Sequence, residues 1–313
     1  MAGWSTTVNP WIIPIGIALC VVNLFAAPIK PIPEHVALDK GKVQLGKKLF
    51  FDRRLSRDGK VSCATCHNLK KGGDDGLTVS KGIHGKEGNI NAPTVYNARF
   101  NFRQFWDGRA RDLKEQVLGP VSNPVEMGFS IERVIEVLKK DPLYIKRFQE
   151  LYPEGITKES ITNAIATFEK ALITPNAPFD RYLKGEANAI GPEAKEGYRL
   201  FKSKGCILCH NGINIGGNFY NKFGIFKESN SSSLGRYALT KREEDKYVFK
   251  VPSLRNVALT APYMHDGRAK TLHQAVEIMT EHQLGRYMTP EEIDKIVVFL
   301  KSLTGEIPAV AKE

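Results

Sequence analysis

Four of the five cysteines stand in two identical frames, in which two cysteines three positions apart are followed directly by a histidine. Two thiols at this spacing can each add across a vinyl group of one haem, which leaves the imidazole beneath the iron. Each frame therefore predicts one covalently bound c-type haem. The residues are Cys63, Cys66 and His67 in the first frame, and Cys206, Cys209 and His210 in the second.

A redox-active cysteine pair and a zinc site use the same residue types. Zinc needs four ligands gathered in one place, whereas the two frames lie in different halves of the chain. A disulfide framework is unattractive in a chain this large whose remaining cysteine, Cys20, stands in an apolar segment. The pattern favours haem attachment over these alternatives.

The sixth ligand of each iron decides the chemistry, because two firm protein ligands exclude peroxide whereas a releasable ligand admits it. His84 is the candidate for the first haem, within the glycine-rich stretch 70–91, and a solvated surface histidine is the alternative. Met279 is the candidate for the second haem, whose reduction potential it would raise. Met279 also shares a helix face with Leu272 and Val276, and on the residues alone core packing is favoured.

Helices are expected to position both frames. Apolar residues at helical spacing predict a helix over 38–50 before the first frame and another over 192–202 before the second. Amphipathic helices over 160–172 and 289–303 close the two halves, the latter with Thr289 as its N-cap. This order resembles the cytochrome c fold, once per half. We therefore expect a mostly α protein of two cytochrome c-like domains, each with one covalently bound haem.

An internal repeat supports two related halves. In each half, a proline and an asparagine precede an Asp-Gly-Arg-Ala run at the same spacing: Pro93, Asn97 and 107–110, then Pro252, Asn256 and 266–269. We place the first domain at 31–175 and the second at 176–313. The linker is predicted at 174–178, where two prolines end the preceding helix.

An apolar leader occupies residues 1–30. No charge precedes Lys30, and the apolar run 11–27 is at the short limit for a membrane span and also suits a secretory signal. The absence of Lys or Arg before the run opposes the usual orientation bias. Because c-type haem is attached outside the cytoplasm, we expect a periplasmic protein, either soluble or anchored to the membrane by this segment.

Composition fits a soluble protein with real cores: 42% of the 313 residues are hydrophobic. Lys and Arg number 45 against 34 Asp and Glu, a formal net charge of +11 that suggests acidic partners or an anionic surface. The basic residues form no concentrated tract, so nucleic acid is not an expected partner.

Three further runs, 105–110, 119–127 and 261–267, resemble the bacterial di-haem cytochrome c peroxidase family, which also contains the di-haem enzyme of methylamine utilisation. The similarity covers about 36–303. It implies an enzyme that reduces hydrogen peroxide to water with electrons from a small donor, such as a cytochrome c or a cupredoxin. We also expect a homodimer. A non-catalytic di-haem electron carrier or redox sensor is the main alternative, and an oxidase acting on a protein is a third.

The resemblance implies roles for individual residues. His84 would be the releasable ligand of a low-potential peroxidatic haem, and Met279 would ligate the high-potential haem, where the methylamine-utilisation enzyme has a tyrosine. Trp106 would lie between the haems, with Glu126 as the distal acid–base residue and Gln116 as its neighbour. A calcium ion between the domains would be held by Asn91, Thr260 and Pro262, the last two through backbone carbonyls.

General chemistry agrees with the role of Glu126. Breaking the O–O bond of peroxide requires a group that takes the inner proton and returns it to the outer oxygen, and one carboxylate can do both. The apolar neighbours of Glu126 would raise its pKa. Without the resemblance, a surface glutamate after a turn is the favoured interpretation.

Overall fold

The computed structural model describes Met1 and residues 28–312. Most of the predicted leader, with Cys20, lies outside the described residues. Within the part of the chain that is described, no helix is long and apolar enough to cross a membrane.

The described chain is mostly helical, as predicted, and its strands form a short antiparallel pair. The α-helices are α1 (Lys40–Phe51), α2 (Cys63–Cys66), α3 (Leu113–Ser122), α4 (Ile131–Leu138), α5 (Pro142–Leu151), α6 (Lys158–Ala171), α7 (Pro178–Leu183), α8 (Pro192–Ser203), α9 (Tyr237–Thr240), α10 (Leu272–Met279), α11 (Pro290–Lys301) and α12 (Ala309–Lys312). The strands are β1 (Tyr220–Lys222) and β2 (Val248–Lys250). Short 3₁₀-helices lie at Arg53–Leu55, Ile83–Gly85, Ala98–Phe100, Cys206–Leu208, Glu243–Asp245 and Val257–Leu259, and one π-helical turn, Thr280–Leu284, follows α10.

Two matching helix crossings build the two halves: α1 packs on α6, and α8 packs on α11. A Cβ atom at Gly46 would lie 1.9 Å from the carbonyl oxygen of Ala164, and one at Gly197 would lie 1.9 Å from that of Lys295. Only glycine permits such close approach of two backbones. The four predicted helices are thus confirmed, with ends shifted by a few residues.

The internal repeat is confirmed by backbone conformation. Asn97 and Asn256 both adopt the left-handed conformation, with φ of 60° and 59°. Their N–H groups donate to equivalent carbonyls, 2.8 Å to Leu172 and 3.2 Å to Leu303. This register pairs α3 with α10 and α6 with α11, so residues at the same position in each half can be compared directly.

Each half encloses its own apolar core, but the two ends of the described chain are exchanged between them. Ile29 belongs to the core of the second half, whereas Ala311 belongs to that of the first. The N–H of Gly212 donates to the carbonyl of Pro28 at 2.6 Å, which fixes the first segment beside the second Cys-x-x-Cys-His frame. Each core is therefore completed by a segment from the far end of the sequence.

The predicted linker at 174–178 is held by both halves. Thr174 Oγ1 accepts hydrogen bonds from Asn97 Nδ2 at 2.7 Å and from Asn256 Nδ2 at 2.9 Å. The prediction that both prolines end the preceding helix is wrong for Pro178, which is the first residue of α7, where a missing N–H is tolerated. The domain limits at 175 and 176 stay a prediction.

Candidate functional site

His67 is held in the form that a metal requires. It directly follows the single turn of α2, and its Nδ1 lies 3.1 Å from the carbonyl oxygen of Gly73. This contact makes Nδ1 the protonated nitrogen and leaves the Nε2 lone pair available. Burial lowers the pKa of His67, so the imidazole is neutral.

His210 repeats this arrangement in the second half. Its Nδ1 lies 3.4 Å from the carbonyl oxygen of Ile215, and burial lowers its pKa to about 4. The ring centroids of His67 and Phe50 are 6.4 Å apart, and those of His210 and Phe201 are also 6.4 Å apart. Both predicted proximal ligands therefore have the same setting.

A mainly apolar cavity of about 240 Å³ opens against His210. Cys206, Cys209 and Met279 line it, which brings two thiols, an imidazole and a thioether to one space. These residues fit a covalently attached haem, with the cysteines as attachment points. Leu272 and Val276 line the same cavity, so the helix face predicted to pack in the core faces the space a haem would fill. Ligation by Met279 stays a prediction.

His84 is exposed, as the surface alternative expects. Its backbone is left-handed, with φ of 55°, and its N–H donates to Asp58 Oδ2 at 3.1 Å. The loop rests on the turn that carries Glu126, because the N–H of Ile83 donates to the Glu126 carbonyl at 2.8 Å. The structure does not bring His84 to a buried site, and its role as a releasable ligand stays a prediction.

Glu126 lies in a turn folded back over the end of α3. The N–H of Met127 donates to the carbonyl of Pro120 at 3.1 Å, and Asn123 Nδ2 donates to Glu126 Oε1 at 2.6 Å. Burial raises the pKa of Glu126 despite that hydrogen bond. Gln116 stands on α3 one turn before Pro120 and is half-buried.

Glu126 is close enough to the first frame to act on it electrostatically. Burial, with the charges of Asp75 and Glu126, raises the pKa of the Cys66 thiol to about 11. A carboxyl of raised pKa thus lies within electrostatic range of Cys66 in the first frame.

Trp106 joins the two halves through its backbone and its ring. Its indole Nε1 donates to the carbonyl of Asn91 at 2.9 Å, and its own carbonyl accepts from the N–H of Lys250 at 2.7 Å. The ring centroid lies 6.1 Å from that of His265, the residue equivalent to Trp106 in the repeat. Stacking on Phe249 buries His265, and this burial lowers its pKa to about 4. Sequence reasoning missed His265, although the repeat pairs it with Trp106.

The three residues predicted to hold calcium lie in the wall of the same cavity. The Asn91 amide nitrogen donates to the carbonyl of Leu77 at 2.7 Å, which leaves Oδ1 as the oxygen for a cation. Among the described residues, no backbone N–H donates to the carbonyls of Thr260 and Pro262. These oxygens fit the ligand preference of calcium. The ion itself stays a prediction.

Sequence reasoning also missed the buried ionisable residues Glu169 and Lys250. Glu169 is 4% exposed, and its Oε2 has no hydrogen-bond partner in the described chain. Burial raises its pKa to about 8. Aligning the two close-approach glycines, Gly46 and Gly197, pairs Glu169 with Leu300, which lines the cavity beside His210. Lys250 is 6% exposed, lines that cavity, and is equivalent to Asn91. The internal repeat relates each of them to a position in the other half, but it carries no signal of their burial.

Two helix crossings, each beside a Cys-x-x-Cys-His frame, define a two-domain protein of the c-type cytochrome class. Residues 40–188 match the family described as di-haem cytochrome c peroxidase, and residues 194–304 match the cytochrome c family. The chain therefore belongs to the di-haem cytochrome c peroxidase family. It is a di-haem c-type peroxidase, and the two matches support two haem c groups.

Individual relatives agree with this assignment. The chain is 47% identical to a cytochrome c551 peroxidase of Nitrosomonas europaea, over 97% of this chain and 92% of that protein. It is 45% identical to a cytochrome c551 peroxidase of Pseudomonas aeruginosa, over 91% of this chain and 86% of the relative. A crystal structure of a MauG-like protein associated with microbial copper homeostasis aligns with a TM-score of 0.79 and 27% identity, over 97% of this chain and 96% of that chain.

Proposed function

We propose that the first half reduces hydrogen peroxide to water, and that the second half passes on electrons from a small external donor, a cytochrome c or a cupredoxin. The observation that carries this division of labour is the register of α3 and α10. It places Pro120 of the first half where the second half has Met279. Proline offers no side-chain ligand, so the distal side of the first haem depends on a loop for any sixth ligand.

Proton transfer at the first site is assigned to Glu126. A haem c bound at Cys63, Cys66 and His67 would supply the redox-active iron to which peroxide binds. Glu126, half-buried and within electrostatic reach of Cys66, would accept the inner proton of peroxide and return it to the outer oxygen. Gln116 would orient peroxide beside it. The overall reaction, H₂O₂ + 2 H⁺ + 2 e⁻ → 2 H₂O, takes both electrons from the donor.

Trp106 is proposed to lie on the electron path between the halves, because its hydrogen bonds join the segments that carry Asn91 and Lys250. The donor would dock near the second frame. Leu208, between the two cysteines of that frame, is 75% exposed and offers an apolar contact at the attachment loop.

His84 is proposed to be the releasable sixth ligand of the first haem. Its loop is tied to the Glu126 turn by the Ile83–Glu126 hydrogen bond, so loop movement would also shift the acid–base group. We further propose a periplasmic homodimer, either soluble or held at the membrane by the leader, with one calcium ion at Asn91, Thr260 and Pro262. Neutral oxygens from both halves would then be joined by that ion.

An optical and EPR titration of the protein, as isolated and after one-electron reduction, tests whether His84 is a releasable ligand of the first haem. We expect a six-coordinate low-spin first haem that becomes five-coordinate and high-spin on reduction. His84→Gly should be high-spin when fully oxidised and should react with peroxide in that state, and glycine suits the left-handed backbone there. His35→Gly, at another exposed histidine, is the matched control. A low-spin first haem in oxidised His84→Gly would show that His84 is not the releasable ligand.

A further inference from the structure

We propose that Lys250 binds a carboxylate of the second haem and that its charge raises the reduction potential of that haem. The inference rests on the second half binding a c-type haem. It concerns a residue of the cavity that neither attaches nor ligates the cofactor.

The backbone fixes Lys250 at the cavity wall. It is the last residue of β2, paired with Tyr220 of β1, and its N–H donates to the carbonyl of Trp106 at 2.7 Å. The side chain is 6% exposed and lines the cavity together with Cys209 and His210. A long cationic side chain is thus held in a mainly apolar space.

No carboxylate of the described chain compensates this charge. Among the described residues, none lies within ion-pair distance of Lys250, and the described lining of the cavity contains neither Asp nor Glu. Burial without a partner lowers the pKa of Lys250 to about 8 and makes the ammonium costly. A counter-anion must therefore come from what occupies the cavity. Thioether attachment consumes the vinyl groups of haem, and its two propionates are the anions that remain.

The first half has no cationic side chain at the equivalent position. Asn91 takes that place, and its amide donates to the carbonyl of Leu77. Lys222 also lines the cavity beside His210, but it is exposed and its charge is screened by solvent. A buried cation close to a haem favours ferrous over ferric iron, because the ferrous form carries one positive charge less. Lys250 therefore raises the potential of the second haem.

Spectroelectrochemical titration of Lys250→Met, with haem content counted by pyridine haemochrome, tests the inference. Methionine keeps the length and removes the charge. We expect at least a tenfold shift of the ferric–ferrous equilibrium of the second haem toward ferric, about 59 mV, with the first haem unmoved. Lys250→Arg should retain the parent potential. Lys301→Met, which removes an exposed charge from the same half, should shift neither haem.

Other outcomes also decide the question. Loss of the second haem in Lys250→Met but not in Lys250→Arg would support binding of the carboxylate. An unchanged potential of the second haem in Lys250→Met, with both haems present, would overturn the inference. The same holds if that potential falls equally in Lys250→Met and Lys250→Arg, or equally in Lys250→Met and Lys301→Met. If the potential is unmoved while peroxide turnover persists, only this inference fails. A parent protein that oxidises no donor with peroxide would instead refute the proposed function.

Discussion

Asn97 and Asn256 occupy the same left-handed turn, and Gly46 and Gly197 allow the same helix crossing. The side chains at several equivalent positions of the two halves nevertheless differ in kind. The pairs, first half before second, are Pro120 and Met279, Asn91 and Lys250, Glu169 and Leu300, and Tyr96 and Arg255. Backbone geometry at these positions therefore does not distinguish the two halves, whereas these side-chain differences do.

The largest expected effect concerns Arg255, which pairs with Asp180 at 2.5 Å where both side chains are fully buried. Arg255→Met would leave that carboxylate without its partner, and we expect a loss of about 3–5 kcal/mol in the free energy of unfolding. Urea unfolding followed by circular dichroism measures this loss. Arg199→Met, which breaks the exposed pair with Glu196, should leave the free energy of unfolding almost unchanged.

Tyr96 is the residue of the first half that is equivalent to Arg255, and Tyr96→Phe is the corresponding test there. It removes only the hydrogen bond from the hydroxyl to the carbonyl of Leu69, and should cost about 1 kcal/mol. A loss in Arg255→Met no greater than that in Tyr96→Phe would show that the buried charge pair contributes nothing special to the second half.

Glu126→Gln should lower peroxide turnover by at least about 10²-fold and leave both haem spectra intact. Glutamine keeps the volume but cannot accept and return a proton. Steady-state turnover with saturating donor is the measurement, and Glu132→Gln, at an exposed glutamate of α4, is the control. Turnover of Glu126→Gln close to that of the parent would show that Glu126 is not the acid–base residue.

Met279→Leu and Met279→His should each lower the potential of the second haem and abolish rapid turnover, while both haems remain attached. The cause is loss of the thioether that stabilises ferrous iron. We expect at least a tenfold change in the ferric–ferrous equilibrium, about 59 mV. Potentiometry that is unchanged in both variants would make Met279 a packing residue of α10.

Glu169→Gln should have the smallest effect, on the pH dependence of stability. The folded-state pKa of about 8 exceeds the ordinary value near 4.3, so the folded chain keeps a proton that the unfolded chain releases. This contribution is fully present below about pH 4 and is lost as pH rises to about 8. The thermal unfolding temperature should therefore fall less across that pH range in Glu169→Gln than in the parent.

Glu159→Gln, at an exposed position of the same helix, should keep the parent's slope. Equal slopes in the parent and in Glu169→Gln would mean that Glu169 is ionised in the folded protein.

Local patterns predicted a large part of this molecule. The two cysteine frames, the helices around them and the Thr289 cap with its reciprocal Glu292 partner depend on residues close in sequence. Glu169 could not be recognised in that way. It follows Phe168 on α6, and a glutamate at such a position would ordinarily be assigned to the surface. Its burial depends on the helix crossing that Gly46 permits.

His84 and Lys250 illustrate the same limit in opposite directions. The sequence left a surface position open for His84 but gave no sign of the left-handed backbone that Asp58 holds in place. Lys250 has no sequence signal of burial, because a two-stranded pairing and the Trp106 carbonyl place it in the cavity. Long-range contacts decide both positions.

The exchanged chain ends have a consequence for how the protein comes apart. Releasing Pro28 and Ile29 removes a residue from the second core and frees the N–H of Gly212, close to His210. Releasing Ala311 removes apolar cover from the first core. Because each half holds the other's end, the two should open as one cooperative unit rather than in sequence. Amide exchange at Gly212 should therefore occur through global unfolding, at the same free energy as the slowest amides of α6.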